Sequence, residues 1–331
     1  MSKPFQLDLS QVDFIGTDLM RPECVLATRG GHLYASDWRG GVAHLSPDGT
    51  QRFIGCAPSR AEARLMPNGI ALLRDHSLLV ANLGDEGGVW RLFPDGHYEP
   101  WLTEVSGQRL PAVNFVWLDD QERVWMTVMF RSHPGAGQHK FRADLGDGYV
   151  ILADGVEQHQ SARVVAEGLF TPNECRIALD GKSLVVNETF SNRVVRYALR
   201  PDGSLGARDV LAQFDEDTLP DGLTLDVEGG MWVTGVAANR FVRVMPDGSW
   251  TQLSQDVNPD HMRAVREAIH DGTLDRDLLY SNPARVLPNI TSVAFGGDDL
   301  RIAYVGSVSG RAIARFRAPV AGVPPVHWNW R

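Results

Sequence analysis

The chain has 331 residues and a formal net charge of -9, which excludes the dense basic surface that a nucleic-acid-binding protein needs. No segment approaches the roughly 18 consecutive apolar residues of a membrane span, and the first residues lack the apolar core of a signal peptide. Three cysteines without zinc-like spacing predict a protein of the reducing cytoplasm. We expect a small-molecule partner, with neither nucleic acid nor membrane, and a homo-oligomer stays open.

Short alternating strands separated by Gly, Pro and Asp run along the whole chain, as in all-β proteins. Six stretches share one order of features, namely a polar residue, an apolar strand, a charged or Gly-rich turn and a second apolar strand. They begin at Arg21, Met66, Pro111, Thr171, Leu219 and Leu287. A second strand pair usually follows, so the repeats predict a six-bladed β-propeller with four-stranded blades. A β-sandwich or two unrelated β domains is the alternative, which six copies in phase disfavour.

Two repeats are lengthened by insertions. The first, at about 131–147, is polar and contains Gly, and the second covers residues 256–280. Met262, Val265 and Ile269 in the second have helical spacing, and Gly272 suits the end of that helix. We expect this segment to form a lid or wall on the face where the first strands of the blades start. Because no Pro/Ser-rich linker interrupts the repeats, the sequence predicts one domain spanning residues 1–331.

The tripeptide Pro-Asp-Gly occurs five times. Four copies follow an alternating strand and predict hairpin turns, since Pro fixes φ at the second position and Asp and Gly suit the next two. These four begin at Pro47, Pro94, Pro201 and Pro246. The fifth copy, which contains Asp221, stands before its strand and therefore predicts a different role for this carboxylate.

A polar residue stands at the start of the first strand of every repeat. The six are Glu23, Asn68, Asn114, Asn173, Asp221 and Asn289. The first strand of a blade borders the central channel, so we expect these side chains to converge in a ring at one end of it. Buried carboxylates and amides need hydrogen bonds or a cation. The oxygen-rich set predicts one divalent cation, Ca²⁺ first, with Zn²⁺, Mn²⁺ and Mg²⁺ as alternatives. Local capping of the loop backbone is the alternative role for any single one of them.

The order and spacing of these motifs resemble the SMP-30/gluconolactonase family of six-bladed propellers over essentially the whole chain. The resemblance implies that Glu23 in "RPEC", Asn173 in "TPNEC" and Asp221 in "LPDGL" hold one divalent metal. It also implies that Asn114 in "AVNFVW" faces the metal or the substrate. The implied activity is metal-dependent hydrolysis of a lactone or similar cyclic ester, with Asp221 as the general base.

Two acids at the ends of second strands, Glu188 and Asp37, are also expected on the ligand face, and Glu188 is the alternative catalytic base. Sugar-lactone members of the resembled family carry R-x-N-D-G at the third blade, whereas this chain has Ala112 and Phe115 in the Arg and Asp positions.

We therefore expect a lactone less polar than a sugar lactone. The predicted substrate contacts are Asn114, Ala112, Phe115, Trp38, Asn68 and Asn289.

Two other functions stay open. The same metal site could act on a phosphotriester or perform non-hydrolytic chemistry on a small ring. Alternatively, the propeller could bind a ligand or protein without catalysis, its cation being structural. The acids at Glu23 and Asp221 favour an enzyme, because a scaffold does not need carboxylates at two channel positions.

Overall fold

Alternating apolar residues and Gly-containing turns form twenty-six strands in the computed structural model, which describes residues 5–132, 141, 143–281 and 284–330. The first strand is β1 (Asp13–Ile15). The first blade follows with β2 (Val25–Ala27), β3 (Leu33–Asp37), β4 (Gly41–Leu45) and β5 (Gln51–Ile54). The second blade has β6 (Pro67–Leu72), β7 (Leu78–Asn82), β8 (Val89–Leu92) and β9 (Tyr98–Leu102). A small hairpin of β10 (Glu104–Val105) and β11 (Gln108–Arg109) comes next.

The remaining blades have the same four-stranded form. The third has β12 (Phe115–Leu118), β13 (Val124–Val128), β14 (Gly148–Ala153) and β15 (Arg163–Leu169). The fourth has β16 (Pro172–Ile177), β17 (Ser183–Glu188), β18 (Arg193–Leu199) and β19 (Leu205–Gln213). The fifth has β20 (Pro220–Leu225), β21 (Met231–Gly235), β22 (Arg240–Val244) and β23 (Trp250–Gln255). The sixth has β24 (Ile290–Gly296), β25 (Ile302–Ser307) and β26 (Ile313–Arg317).

The sixth blade is completed by the start of the chain. Strand β1 pairs antiparallel with β26, with Phe14 opposite Ala314, and supplies the outermost strand of that sheet. All six blade sheets are antiparallel, and apart from β1 their strands are ordered consecutively from the inside outwards. The predicted six-bladed propeller with four-stranded blades is therefore confirmed, and its ring is closed by hydrogen bonds between two distant parts of the chain.

The four Pro-Asp-Gly copies predicted as turns join the third and fourth strands of their blades. In each, the Asp side chain accepts a hydrogen bond from the backbone N–H two residues further on, at 2.9 Å. These four carboxylates are Asp48, Asp95, Asp202 and Asp247. Hydrogen bonds with the turn lower the pKa of Asp48, Asp202 and Asp247 below the usual value of an aspartate. They are surface turn residues, as the sequence predicts.

The insertion after the fifth blade forms two helices, α1 (Pro259–His270) and α2 (Arg276–Tyr280). Asn258 caps α1 by accepting hydrogen bonds from the backbone of the first turn. The predicted apolar face is confirmed, since Met262 and Val265 are buried and Ile269 packs beside them against the propeller. Additional helices are short 3₁₀ turns at Leu9–Gln11, Arg60–Glu62, His159–Ser161 and Val326–Asn329. None of the helices in the described ranges is long and apolar enough to cross a membrane.

The other predicted insertion, at 131–147, lies largely outside the described residues, which omit 133–140 and 142. Of this segment, Phe141 packs in the same apolar cluster as α1, with its ring 5.4 Å from that of Phe190.

Candidate metal centre

Three of the polar ring residues stand where the first strand of their blade leaves its regular ladder. In β20, pairing with β21 jumps from Pro220 to Leu223, and β6 and β16 have the same register shift after their first residue. Asp221, Asn68 and Asn173 lie inside these irregularities, where an extra residue redirects the backbone and its side chain. A β-bulge therefore places these three side chains at the channel end, whereas Glu23 and Asn114 stand just before the regular part of β2 and β12.

The sixth blade has the same irregularity, and it corrects the sequence alignment. Pairing of β24 with β25 jumps from Ile290 to Val293, so Thr291 occupies the position of Asp221. Asn289 lies two residues earlier, in a left-handed conformation with φ 54, as Thr171 does two residues before Asn173. The predicted place of Asn289 in the ring is therefore wrong. Its side chain donates instead to the Leu279 carbonyl at 2.8 Å.

Neighbouring ring residues are joined by hydrogen bonds. Asn68 Nδ2 donates to Glu23 Oε1 at 3.1 Å and to Asn114 Oδ1 at 3.0 Å. Asn114 Nδ2 in turn donates to Asn173 Oδ1 at 2.7 Å. Glu23, Asn68, Asn114, Asn173 and Asp221 are all buried, and together they line one small cavity of about 40 Å³. The structure therefore brings together five of the six predicted ring side chains.

Two carboxylate oxygens in this cavity have no hydrogen-bond partner. They are Glu23 Oε2 and Asp221 Oδ1, both inaccessible to solvent. Burial raises the pKa of both side chains. The negative charge of Glu174 raises the pKa of both acids further, and the positive charge of Arg21 lowers it. Ionised buried carboxylates with free lone pairs are unstable unless a cation or proton neutralises them.

The donor set fits a hard divalent cation. Glu23 and Asp221 offer unpaired carboxylate oxygens, and the Asn173 carbonyl oxygen has a second lone pair beside the hydrogen bond from Asn114. Among the described residues no three His, Cys, Asp or Glu side chains meet at one point, so the amides are needed to complete an oxygen cage. Two acids with amide oxygens are typical of Ca²⁺ and related ions.

Glu188 does not reach the cavity, which corrects its predicted role as a catalytic residue. Its Oε1 accepts from the Phe170 backbone N–H at 2.7 Å, and its Oε2 accepts from Arg193. Asp37 has the same structural role, since it accepts from the Met20 N–H at 2.9 Å and pairs with Arg39. These acids fix the loop that leads into the first strand.

The prediction that Phe115 contacts substrate at the polar ring is also wrong. Its side chain is buried in the apolar core and lines a separate cavity of about 290 Å³, towards the other end of the first strands. Because strand side chains alternate, the residue after Asn114 turns away from the ring. Ala112 and Trp38 instead form an apolar cluster with Met66 and Leu83, and Leu83 lines the small cavity.

The cavity has further lining residues that the sequence did not predict, among them one arginine before the first blade and three residues of α2. Arg21 donates to Asn68 Oδ1 at 2.7 Å, and Arg276, Leu279 and Tyr280 of α2 form part of the wall. Arg21 has a sequence signal, because it stands two residues before a ring position. The α2 residues have none beyond their place in the insertion, although their position confirms that this insertion forms a wall at the channel end that holds the polar ring.

Residues 21–255 match the family model of the SMP-30/Gluconolactonase/LRE-like region, so the chain belongs to this family. It is 26% identical over 301 residues to a 6-deoxy-6-sulfogluconolactonase of Pseudomonas putida, covering 86% of this chain and 82% of the relative. It is 28% identical over 244 residues to the pentonolactonase XacC of Haloferax volcanii, covering 73% and 67% of the two chains. A calcium-binding regucalcin from Agrobacterium tumefaciens shares the fold, with a TM-score of 0.66 at 17% identity and coverage of 96% and 98%.

Glu188 stabilises a loop, whereas Glu23 and Asp221 line the cavity, and this difference can be tested. Glu188→Gln should lower the free energy of unfolding by about 1–3 kcal/mol, because a buried partner of Phe170 and Arg193 is lost. Calcium affinity should stay unchanged. Denaturant unfolding and calorimetric titration measure the two effects. Glu167→Gln is the control, since its ion pair with Arg131 is exposed and should contribute little. Weakened calcium binding in Glu188→Gln would contradict the structural role.

Proposed function

We propose that this protein is a divalent-cation-dependent hydrolase that opens a lactone or a similar cyclic ester. The observation that carries the proposal is the pair of buried carboxylate oxygens, Glu23 Oε2 and Asp221 Oδ1, that lack partners in one cavity. The names of the two lactonase relatives support the same reaction class. Glu23, Asn173 and Asp221 would hold the ion, with Asn114 as a further ligand or neighbour.

In this proposal the bound cation supplies polarisation of the ester carbonyl and stabilises the negative charge that develops on its oxygen. Asp221 accepts the proton of the attacking water as the general base, and it returns this proton to the oxygen that leaves. The ring C–O bond then breaks and the ring oxygen takes up a proton, giving a hydroxy acid. Asn68 orients the Glu23 carboxylate by donating to it, and Asn114 fixes Asn68 by accepting from the same amide nitrogen.

An apolar cluster beside the cavity, which reaches the cavity wall through Leu83, supports a substrate with few hydroxyl groups. Ala112 lies in an apolar cluster with Trp38, Met66 and Leu83, which offers contact area and no hydrogen bonds for hydroxyls. An apolar wall accepts a ring that lacks hydroxyls, whereas a wall of hydrogen-bonding groups would reject it. The three free cysteines, two of them buried, support the cytoplasm as the compartment.

Calcium binding tests the metal centre directly. Calorimetric titration of protein stripped with chelator should give close to one equivalent of Ca²⁺, and Glu23→Gln should weaken the affinity at least tenfold because a charged ligand is lost. The affinity should fall as the pH is lowered from about 8 to 6, since protons compete for two carboxyls whose pKa is raised by burial. Full lactonase activity in chelator-treated protein would contradict the cation dependence.

Asp221→Asn tests the general base. This variant should retain its fold and lose about 10²–10⁴-fold in kcat, because the amide cannot accept the proton. Asp247→Asn is the matched control, since it changes the same Pro-Asp-Gly tripeptide at an exposed turn and should leave kcat unchanged. The measurement is turnover at saturating cation. A variant that binds the cation and turns over at the wild-type rate would place the base elsewhere.

Substrate polarity is tested with matched lactones of equal ring size. An alkyl-substituted lactone should show a higher kcat/KM than its polyhydroxylated counterpart, because the cluster around Ala112 leaves hydroxyls unpaired. Ala112→Arg should shift the preference towards the hydroxylated ring. A clear preference of the unmodified protein for the sugar lactone would contradict this interpretation of the third blade.

A further inference from the structure

Three arginines surround one indole ring beside the metal cavity. The guanidinium carbons of Arg21, Arg276 and Arg60 lie 4.3, 4.9 and 5.6 Å from the centroid of the Trp38 ring. Most arginines elsewhere in the described chain pair with an Asp or Glu, as Arg39 does with Asp37 at 2.8 Å. Within the same part of the chain, none of these three forms such an ion pair. This group is named the arginine cluster below.

The arginine cluster is assembled from three separate segments. Arg21 precedes the first blade, Arg60 begins the 3₁₀ turn between the first two blades, and Arg276 begins α2. Burial is the main cause that lowers the pKa of both Arg276 and Arg60, and the nearby charge of Arg21 lowers the pKa of Arg276 further. Bringing like charges together out of water is unfavourable, and cation–π contacts with Trp38 offset only part of this.

Two donors of the cluster lack acceptors. The Nε atoms of Arg21 and Arg276 are buried and have no hydrogen-bond partner, although both residues line the small cavity. Arg21 is the member that acts on the acids, since its charge lowers the pKa of Glu23. Within the described residues, Arg276 hydrogen-bonds with Tyr280, and no carboxylate pairs with Arg276 or Arg60.

We propose that the arginine cluster is an anion-binding subsite, which holds a carboxylate or another oxyanion substituent of the cyclic ester. This inference rests on the proposed function of the adjoining cavity. A planar guanidinium binds an oxyanion through two parallel N–H···O bonds, which would also satisfy the orphan donors. The apolar cluster at Ala112 would then contact the uncharged part of the ring, and the charge would fix its orientation.

A binding experiment that does not depend on turnover tests the subsite. The probes are a γ-lactam carrying a carboxymethyl group and the methyl ester of the same lactam, titrated calorimetrically in saturating Ca²⁺. The wild-type protein should bind the carboxylate at least about tenfold more tightly, as expected for charge-assisted hydrogen bonds. Arg276→Gln and, separately, Arg60→Gln should remove most of this difference while leaving the affinity for the ester unchanged. Two variants on different segments guard against a local folding defect.

Arg29→Gln is the matched control, because this exposed arginine follows β2 at its far end from Glu23 and should not alter the preference. Equal affinity for the two lactams, no measurable binding of either, or an equal loss in Arg29→Gln would overturn the subsite. The proposed function is tested separately, by hydrolysis of the γ-lactone that carries the same methyl ester group as the uncharged lactam. A protein that opens this lactone but does not discriminate between the lactams would retain the function and lose the inference.

Discussion

The burial of two carboxylates at one end of the channel is the constraint on which the rest of the site depends. Glu23 and Asp221 lie on different blades, yet both keep an oxygen without a partner in the same cavity. Their ring neighbours are amides, one of which donates to the Glu23 carboxylate, and each amide oxygen keeps a second lone pair beside the hydrogen bond it accepts. Such an arrangement is stable only with a compensating charge. The β-bulges, the ring of amides and the placement of Arg21 all serve this requirement.

The five Pro-Asp-Gly tripeptides show how tertiary position decides the chemistry of one short sequence. At Asp247 the carboxylate is exposed, accepts hydrogen bonds from Ser249 and has a lowered pKa. At Asp221 the same tripeptide begins an inner strand, and burial raises the pKa instead. The glycine of this tripeptide also has a different structural role. A Cβ on Gly222 would lie 2.2 Å from the Thr291 carbonyl oxygen, so this residue permits close approach of the neighbouring inner strand.

Repetition explains both the success and the errors of the sequence predictions. Six in-phase copies predict the six blades and the position of Glu23 and Asp221 at the channel end, because each copy buries the same face. The prediction for the sixth copy is wrong because its Pro288-Asn289 resembles Pro220-Asp221, whereas the bulge common to both strands gives Thr291 the position of Asp221. Glu188 was misplaced because a strand-end acid can turn back to cap a loop. Contacts between segments far apart, as in the arginine cluster, leave no local pattern in one sequence.

The charges at the channel end explain why acids and arginines coexist there without pairing fully. In the absence of a cation, Arg21 partly compensates Glu23, as its effect on the pKa of that carboxyl indicates. A bound divalent ion would neutralise the two acids and leave the charge of Arg21 in excess, beside Arg276 and Arg60 around Trp38. An oxyanion on the substrate would restore the balance. Cation and anionic substrate would then favour each other's binding, because each reduces the charge that the other leaves uncompensated.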